Sequence, residues 1–236
     1  MKKPRLPADL ALDGLSKGKA DYRVLYKYQR INERSLDALR NRYLFFSSYH
    51  QLNDPFDPFL MLIAGRVGGD LALTTSDLGP KIFCVSEKPL SPLMWAHYAD
   101  SWAGMCIGYA VFTGNPSLFT PVTYIDEVIG RFNVLEFLFF KSPIWKWEAE
   151  WRACIPGHEQ KLCDIAHPVS ICLGPRCSTG VMRQVQAAMP ETVKRFEIMF
   201  PRITDNRPAL ATFDVKAVVD KYGGIPALGD LIREAS

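Results

Sequence analysis

Trp145-Lys-Trp-Glu-Ala-Glu-Trp-Arg152 is the stretch on which the reading of this fold turns. Taken as an extended strand, it places Glu148 and Glu150 at i and i+2, projecting from one face. Both acids then point into one pocket, walled by indole rings that give a low-dielectric lining and flat stacking surfaces. An acidic pair in an apolar cleft suits the stabilisation of a positively charged sugar, the chemistry of glycosidic-bond cleavage. The plainer alternative is a strand whose tryptophans fill the core while Glu148, Glu150 and Arg152 form a surface ion-pair row.

Working outward, the segments on either side alternate between strand and helix patterns. Tyr22, Val24, Tyr26 and Tyr28 share one face of a strand. Asn32 caps a helix through Arg40 that buries Leu36 and Leu39. Tyr43–Phe46 is a second strand with Ser47 and Ser48 at its exit, and Asn53-Asp-Pro-Phe-Asp-Pro58 is turn chemistry. Residues 64–80 read as a loop, and Lys81–Val85 as a compact apolar strand. Ser91-Pro92 starts a helix carrying Met94, Trp95 and Tyr98, and Met105–Phe112 is a buried strand. Val128–Phe140 has the spacing of an amphipathic helix. Pro168–Leu173, Phe196–Phe200 and Ala209–Val215 are strands, with a helix opened by Ser178 among them. Strands mixed with separate helices predict an α+β fold with mixed or antiparallel sheets and flanking helices. Residues 1–20 read as a flexible arm and 21–236 as a single domain.

Composition excludes several classes. At 236 residues with 48% hydrophobic and 22% charged residues, the chain has the make-up of a globular protein with a proper core. A formal charge of +3 is too small to imply nucleic-acid binding, although Lys2, Lys3, Arg5, Lys17 and Lys19 concentrate positive charge near the start. The strongest apolar run, Phe137–Phe140, is far too short to span a membrane, and no apolar stretch follows the basic Met1–Arg5. The six cysteines show no C-x-x-C spacing, so no metal is expected and a reduced, cytoplasmic setting is the default. Neither phosphate-cradling glycine motif is present; Gly65–Gly69 lacks the spacing.

Five polar–aromatic clusters remain as candidate chemistry: Tyr26-Lys27-Tyr28, Ser47-Ser48, Asn53-Asp54, Trp95-Ala-His97-Tyr98 and the Glu148/Glu150 pair. Each has a structural reading too. Tyrosines on one strand face are commonly core, and serines and asparagines at strand exits commonly form turns. His97 is of the residue type that moves protons in catalysis, yet no Ser or Cys nucleophile motif accompanies it.

In this order, Leu25-Tyr-Lys-Tyr28, Phe46-Ser-Ser48, Asn53-Asp-Pro-Phe-Asp57, Met94-Trp-Ala-His-Tyr98 with Gly104, and Glu148-Ala-Glu-Trp-Arg152 resemble the bacterial and phage family catalogued as domain of unknown function 2971. The resemblance runs from about residue 22 to about residue 215. The order of elements also resembles, more distantly, the NAD-dependent ADP-ribosyltransferase superfamily, which implies a split sheet and NAD as substrate. That second resemblance implies that Lys27 or Tyr28 orients NAD, that Tyr98 or Trp95 packs on the nicotinamide, and that Glu150 bonds the ribose. It gives Glu148 the task of selecting or activating the acceptor. The first-strand residue is neither the His nor the Arg of that superfamily. A toxin or phage-defence setting is what the first family implies.

The enzymatic expectation is therefore cleavage of the nicotinamide–ribose bond and transfer of ADP-ribose to a macromolecule or to water. The catalytic set is Glu150, Glu148 and Tyr98; the NAD-binding set is Tyr26, Lys27, Tyr28, Ser47, Ser48, Asn53, Trp95, His97 and Arg152. Lys27, Ser47, Ser48 and Arg152 are the candidate pyrophosphate donors. A binding module that stacks nucleotides or a single-stranded nucleic acid on the same aromatics is the alternative. A third reading, a metal-dependent nuclease, needs Asp54, Asp57 and Glu87 to converge.

Overall fold

Capping chemistry sets most of the element boundaries. Asn32 accepts the Ser35 N–H while the Asn32 N–H donates to Ser35 Oγ, so the first helix opens with a reciprocal capping box. Ser91, Ser178 and Asp214 cap the other three in the same way, each accepting a backbone N–H three residues on. The structure is a computed structural model that describes residues 22–54, 79–114, 117–126, 136–155, 161–163, 165–204 and 207–226.

The elements run β1 (Tyr22–Gln29), α1 (Glu33–Asn41), β2 (Tyr43–Phe45), β3 (Ser47–Ser48), β4 (Lys81–Ser86), α2 (Pro92–Tyr98) and β5 (Met105–Phe112). They continue β6 (Phe119–Pro121), β7 (Thr123–Tyr124), β8 (Phe140–Lys141), β9 (Glu150–Ile155), β10 (Lys161–Cys163) and β11 (Ala166–Leu173). Then come α3 (Thr179–Ala188), β12 (Arg195–Thr204), β13 (Arg207–Asp214) and α4 (Val215–Tyr222). This is a mixed, sheet-rich α+β protein with few helices, as the strand and helix patterns predict. Among the described residues no helix is long and apolar enough to cross a membrane.

Two compact units divide the chain. The first holds Met1–Leu25, Tyr43–Glu87 and Val111–Ala166; the second holds Tyr26–Arg42, Lys88–Ala110 and His167–Ser236. In the first unit β9 lies antiparallel between β4 and β6, and β3 adds to the other edge of β4. The β4–β9 register pairs Cys84 with Arg152 and Ser86 with Glu150, so alternation gives the two faces different chemistry. Phe83 lies on one face and packs on Phe46 and Phe119. Ile82 lies on the other, in an apolar cluster with Tyr49, Phe137 and Leu138. Glu150 and Arg152 share this second face. Two small pairs complete the unit, β2 with β10 antiparallel and β7 with β8 parallel.

In the second unit β11 and β12 are parallel, joined through α3, and β13 returns antiparallel to β12. Ile171, Leu173, Ile198 and Val185 are fully enclosed there. Backbones approach closely at Gly104 and Gly174: the Gly174 N–H donates to Gly104 O at 2.9 Å, and a Cβ on Gly174 would lie 2.0 Å from Trp102 O. Asp100, Ser101 and Trp102 all have left-handed φ (50, 51 and 76°). That conformation costs an L-residue roughly 1–2 kcal/mol.

Several expectations are corrected. Trp145–Glu148 is not extended: Pro143–Glu148 is a 3-10 turn, and β9 starts only at Glu150. The cause is local, because Pro143 opens the turn and Ala149, at φ 45°, reverses the backbone before the strand. Ser47 and Ser48 do not simply leave a strand; they form β3. At its described end the helix expected over Val128–Phe140 is a 3-10 turn, Glu136–Phe139, followed by β8. In β1 the buried residues are Leu25 and Tyr28, one on each face, while Tyr22, Val24 and Tyr26 on the Tyr28 face are half-buried. The expected arm (1–20), most of the loop (64–80) and Asp57 lie outside the described residues.

Candidate functional site

Four charged residues of the first unit, Lys141, Glu148, Glu150 and Arg152, converge at the start of β9. Lys141 ends β8, and its Nζ donates to Glu148 Oε2 at 2.5 Å and to Glu150 Oε2 at 2.9 Å. Arg152 grips Glu150 through both oxygens, Nε to Oε1 at 2.9 Å and Nη2 to Oε2 at 3.1 Å, while Nη1 donates to Leu138 O at 2.7 Å. All four side chains are buried; the most exposed, Glu150, is 6% accessible. Two acids and two bases cancel, which is what allows the burial of four charges.

Ala149 makes the convergence possible. Its left-handed backbone turns the chain between Glu148 and Glu150, and both carboxylates meet the same ammonium. The surrounding backbone is tied down: Ser86 Oγ donates to Glu148 O, the Glu87 N–H to Ala149 O, and the Val122 N–H to Glu150 O. Tyr124 was missed by sequence reasoning. It sits beside Lys141 in the β7–β8 register and its Oη accepts the Glu150 N–H at 3.0 Å. Lys141 was missed too, since a lone lysine after Phe137–Phe140 carries no motif.

The electrostatics follow from these contacts. Burial alone would raise the Glu150 pKa, but the Arg152 and Lys141 charges, with hydrogen bonds from Arg152 and Cys84, bring it down to about 2. Burial works against a charged Lys141, and the two carboxylates overcome it, holding the ammonium above its ordinary pKa. Tyr124 is raised by burial and by both carboxylates, with the Glu150 amide and Lys141 acting the other way. So at neutral pH Glu150 and Lys141 are charged and the Tyr124 phenol keeps its proton.

Aromatic surface lies directly against this cluster. Lys141 Nζ is 5.1 Å from the centroid of the Trp145 ring, and Trp145 meets Trp147 at 5.8 Å. Both tryptophans are half-buried, while Ile144 is 75% exposed and Lys146 is exposed. An ammonium enclosed by two carboxylates and an indole face is the environment that any monocation would favour.

The other candidates fall as follows. Within the first unit, Ser48 is buried and its hydroxyl accepts from Lys81 Nζ at 2.8 Å, so that group is already engaged; Ser47 is half-buried and Asn53 exposed. Arg152, one of the expected pyrophosphate donors, is instead spent on Glu150 and Leu138, the ion pair that the sequence left open. Asp54 is buried; Glu87 is exposed and held by Arg23 and the Trp151 indole.

Within the second unit, Tyr28 is buried, its Oη donating to Lys88 O and accepting the Ser91 N–H at 3.3 Å. Its ring meets Trp95 edge-on at 5.4 Å, and Trp95 is fully enclosed against Trp102. Tyr28 and Trp95 thus form core rather than an open platform. Tyr26 and Lys27 are half-buried, as is Tyr98, whose ring lies 6.3 Å from the exposed His97. Compared with known proteins, the chain matches no family model, no curated protein and no solved structure.

Proposed function

We propose that this protein is an ADP-ribosyltransferase-like enzyme that cleaves the nicotinamide–ribose bond of NAD and transfers ADP-ribose to a macromolecule or to water. The observation that supports it is the cage at Lys141: two carboxyl groups and an indole face around one ammonium. Bond cleavage sends the electron pair to the nicotinamide, neutralising its ring, and leaves the positive charge on the ribosyl carbon. The two carboxylates, held out of water, stabilise that charge once the Lys141 ammonium has given way.

The contacts divide the labour between the glutamates differently from the resemblance. Arg152 holds Glu150 by both oxygens, so Glu150 stays as a fixed, ionised positioning group. Glu148 is paired with Lys141, a point charge on a flexible stem, which can move aside for substrate. The ribosyl cation takes the place of the Lys141 ammonium, and the nicotinamide stacks on Trp145 or Trp147. Entry requires the Pro143–Glu148 turn to lift Trp145 from Lys141, because the carboxylates are buried beneath it. The adding nucleophile neutralises the ribosyl carbon and passes its proton to Glu148.

Kinetics of Glu148→Gln test the reading. Loss of one electrostatic group in a transition-state site costs about 10²–10³ in kcat, so nicotinamide release should fall by that factor. An unchanged rate refutes the assignment. The exposed rim of Ile144, Trp145, Lys146 and Trp147 favours a second reading, base stacking without chemistry. That reading is supported if single-stranded oligonucleotides bind with steep salt dependence and no nucleotide is turned over.

A further inference from the structure

We propose that Tyr124 is the specificity-determining residue of this site: its hydroxyl donates to a ribose oxygen and so separates a ribosylated cation from a plain organic cation of equal charge. The inference rests on the reading of the Lys141 cage as the place where the substrate's positive charge is held.

Three placements carry it. Tyr124 and Lys141 are Cα partners in the parallel β7–β8 pair, so their side chains leave the ladder on the same side. The Tyr124 Oη lies 3.0 Å from the Glu150 N, whose proton it accepts, which fixes the phenol beside the carboxylate that Arg152 immobilises. The phenol keeps one proton to give, and among the described residues that proton has no acceptor. Accepting from the Glu150 amide also polarises the O–H and makes it a stronger donor. Burial and the neighbouring carboxylates keep it protonated at neutral pH, so it acts as a donor and never as a base.

A cation seated where the Lys141 ammonium lies brings its substituents past Tyr124. A pyridinium alone offers that hydroxyl nothing. A ribosyl group carries a 2′-hydroxyl on the carbon next to the anomeric carbon, and that oxygen accepts. Charge thus selects for any monocation, and Tyr124 selects within that class for the sugar.

The test is titration calorimetry of the full chain with nicotinamide riboside and with 1-methylnicotinamide, which has the same ring and charge but no ribose. The parent should prefer the riboside by about tenfold, the worth of one sheltered hydrogen bond. Tyr124→Phe should level the two while leaving 1-methylnicotinamide within twofold, which also shows that the variant is folded. Tyr124→Gln, which retains a donor, should keep part of the preference and serves if the Phe variant does not fold. A parent that binds both equally, or a Phe variant that keeps the full preference, overturns the role of Tyr124 and leaves the cage reading standing. A parent that binds neither and releases no nicotinamide from NAD sinks the cage reading, and the role of Tyr124 with it.

Discussion

Replacing Lys141 with Met is the most revealing single perturbation of this protein. The methionine fills a similar volume, so little packing is lost, but two ion pairs vanish at once. Arg152 remains on Glu150, which leaves Glu148, 3% exposed, as a buried carboxylate without its ammonium. Breaking a buried pair by removing one partner costs about 3–5 kcal/mol. For a chain of this length that corresponds to a fall in Tm of roughly 6–20 °C. The loss should shrink as pH falls, because protonation of Glu148 in the variant removes a buried charge that has lost its lysine. Adding Glu148→Gln to Lys141→Met should therefore restore stability rather than reduce it further, a non-additivity that a double-mutant cycle reads directly. Urea denaturation at pH 4.5 and pH 7.5 on the four proteins is the assay. A Lys141→Met variant within about 1 kcal/mol of the parent at pH 7.5, on the scale of an exposed pair, would refute the buried-quartet account. So would an additive cycle.

Other outcomes follow from single contacts. Glu150 has its pKa lowered from 4.5 to about 2, so its contribution to stability is present above pH 4.5 and lost as pH falls toward 2. That change is worth about 3 kcal/mol, and an acid denaturation series should lack this limb in Glu150→Gln. Gly174→Ala should destabilise by about 3 kcal/mol or more, since the added carbon meets the Trp102 carbonyl at 2.0 Å and backbone must move. Ser101→Gly should stabilise by about 0.5–1 kcal/mol, because relief of a left-handed serine outweighs the entropy that glycine adds to the unfolded chain; thermal melts check both.

Much of the fold was legible because it is written in local chemistry. Ser91-Pro92 and Ser178 announce helix starts, and Lys81–Val85 and Met105–Phe112 are apolar runs of strand length, so the observed elements begin within a residue of where they were expected. The Trp-rich stretch misled because alternation of acid and aromatic is shared by a strand and by a 3-10 turn followed by one left-handed alanine. Nothing in Ala149 itself signals a positive φ; the tertiary ties of Ser86, Glu87 and Val122 impose it. The acidic pair was found by its spacing, yet its neutralisation by Lys141 depends on the β7–β8 pairing, which two-residue strands do not declare in sequence. The aromatics Tyr28 and Trp95 look like a ligand platform in the sequence and are core in the structure, since hydrophobicity alone does not say which side of a ring meets solvent.

Incubating the purified chain with NAD and following free nicotinamide by chromatography bears most directly on the proposed chemistry. If the Lys141 cage serves as a seat for the ribosyl cation, nicotinamide accumulates with time in the parent and at least a hundredfold more slowly in Glu148→Gln. No release from the parent, with or without candidate protein and nucleic-acid acceptors, would contradict it.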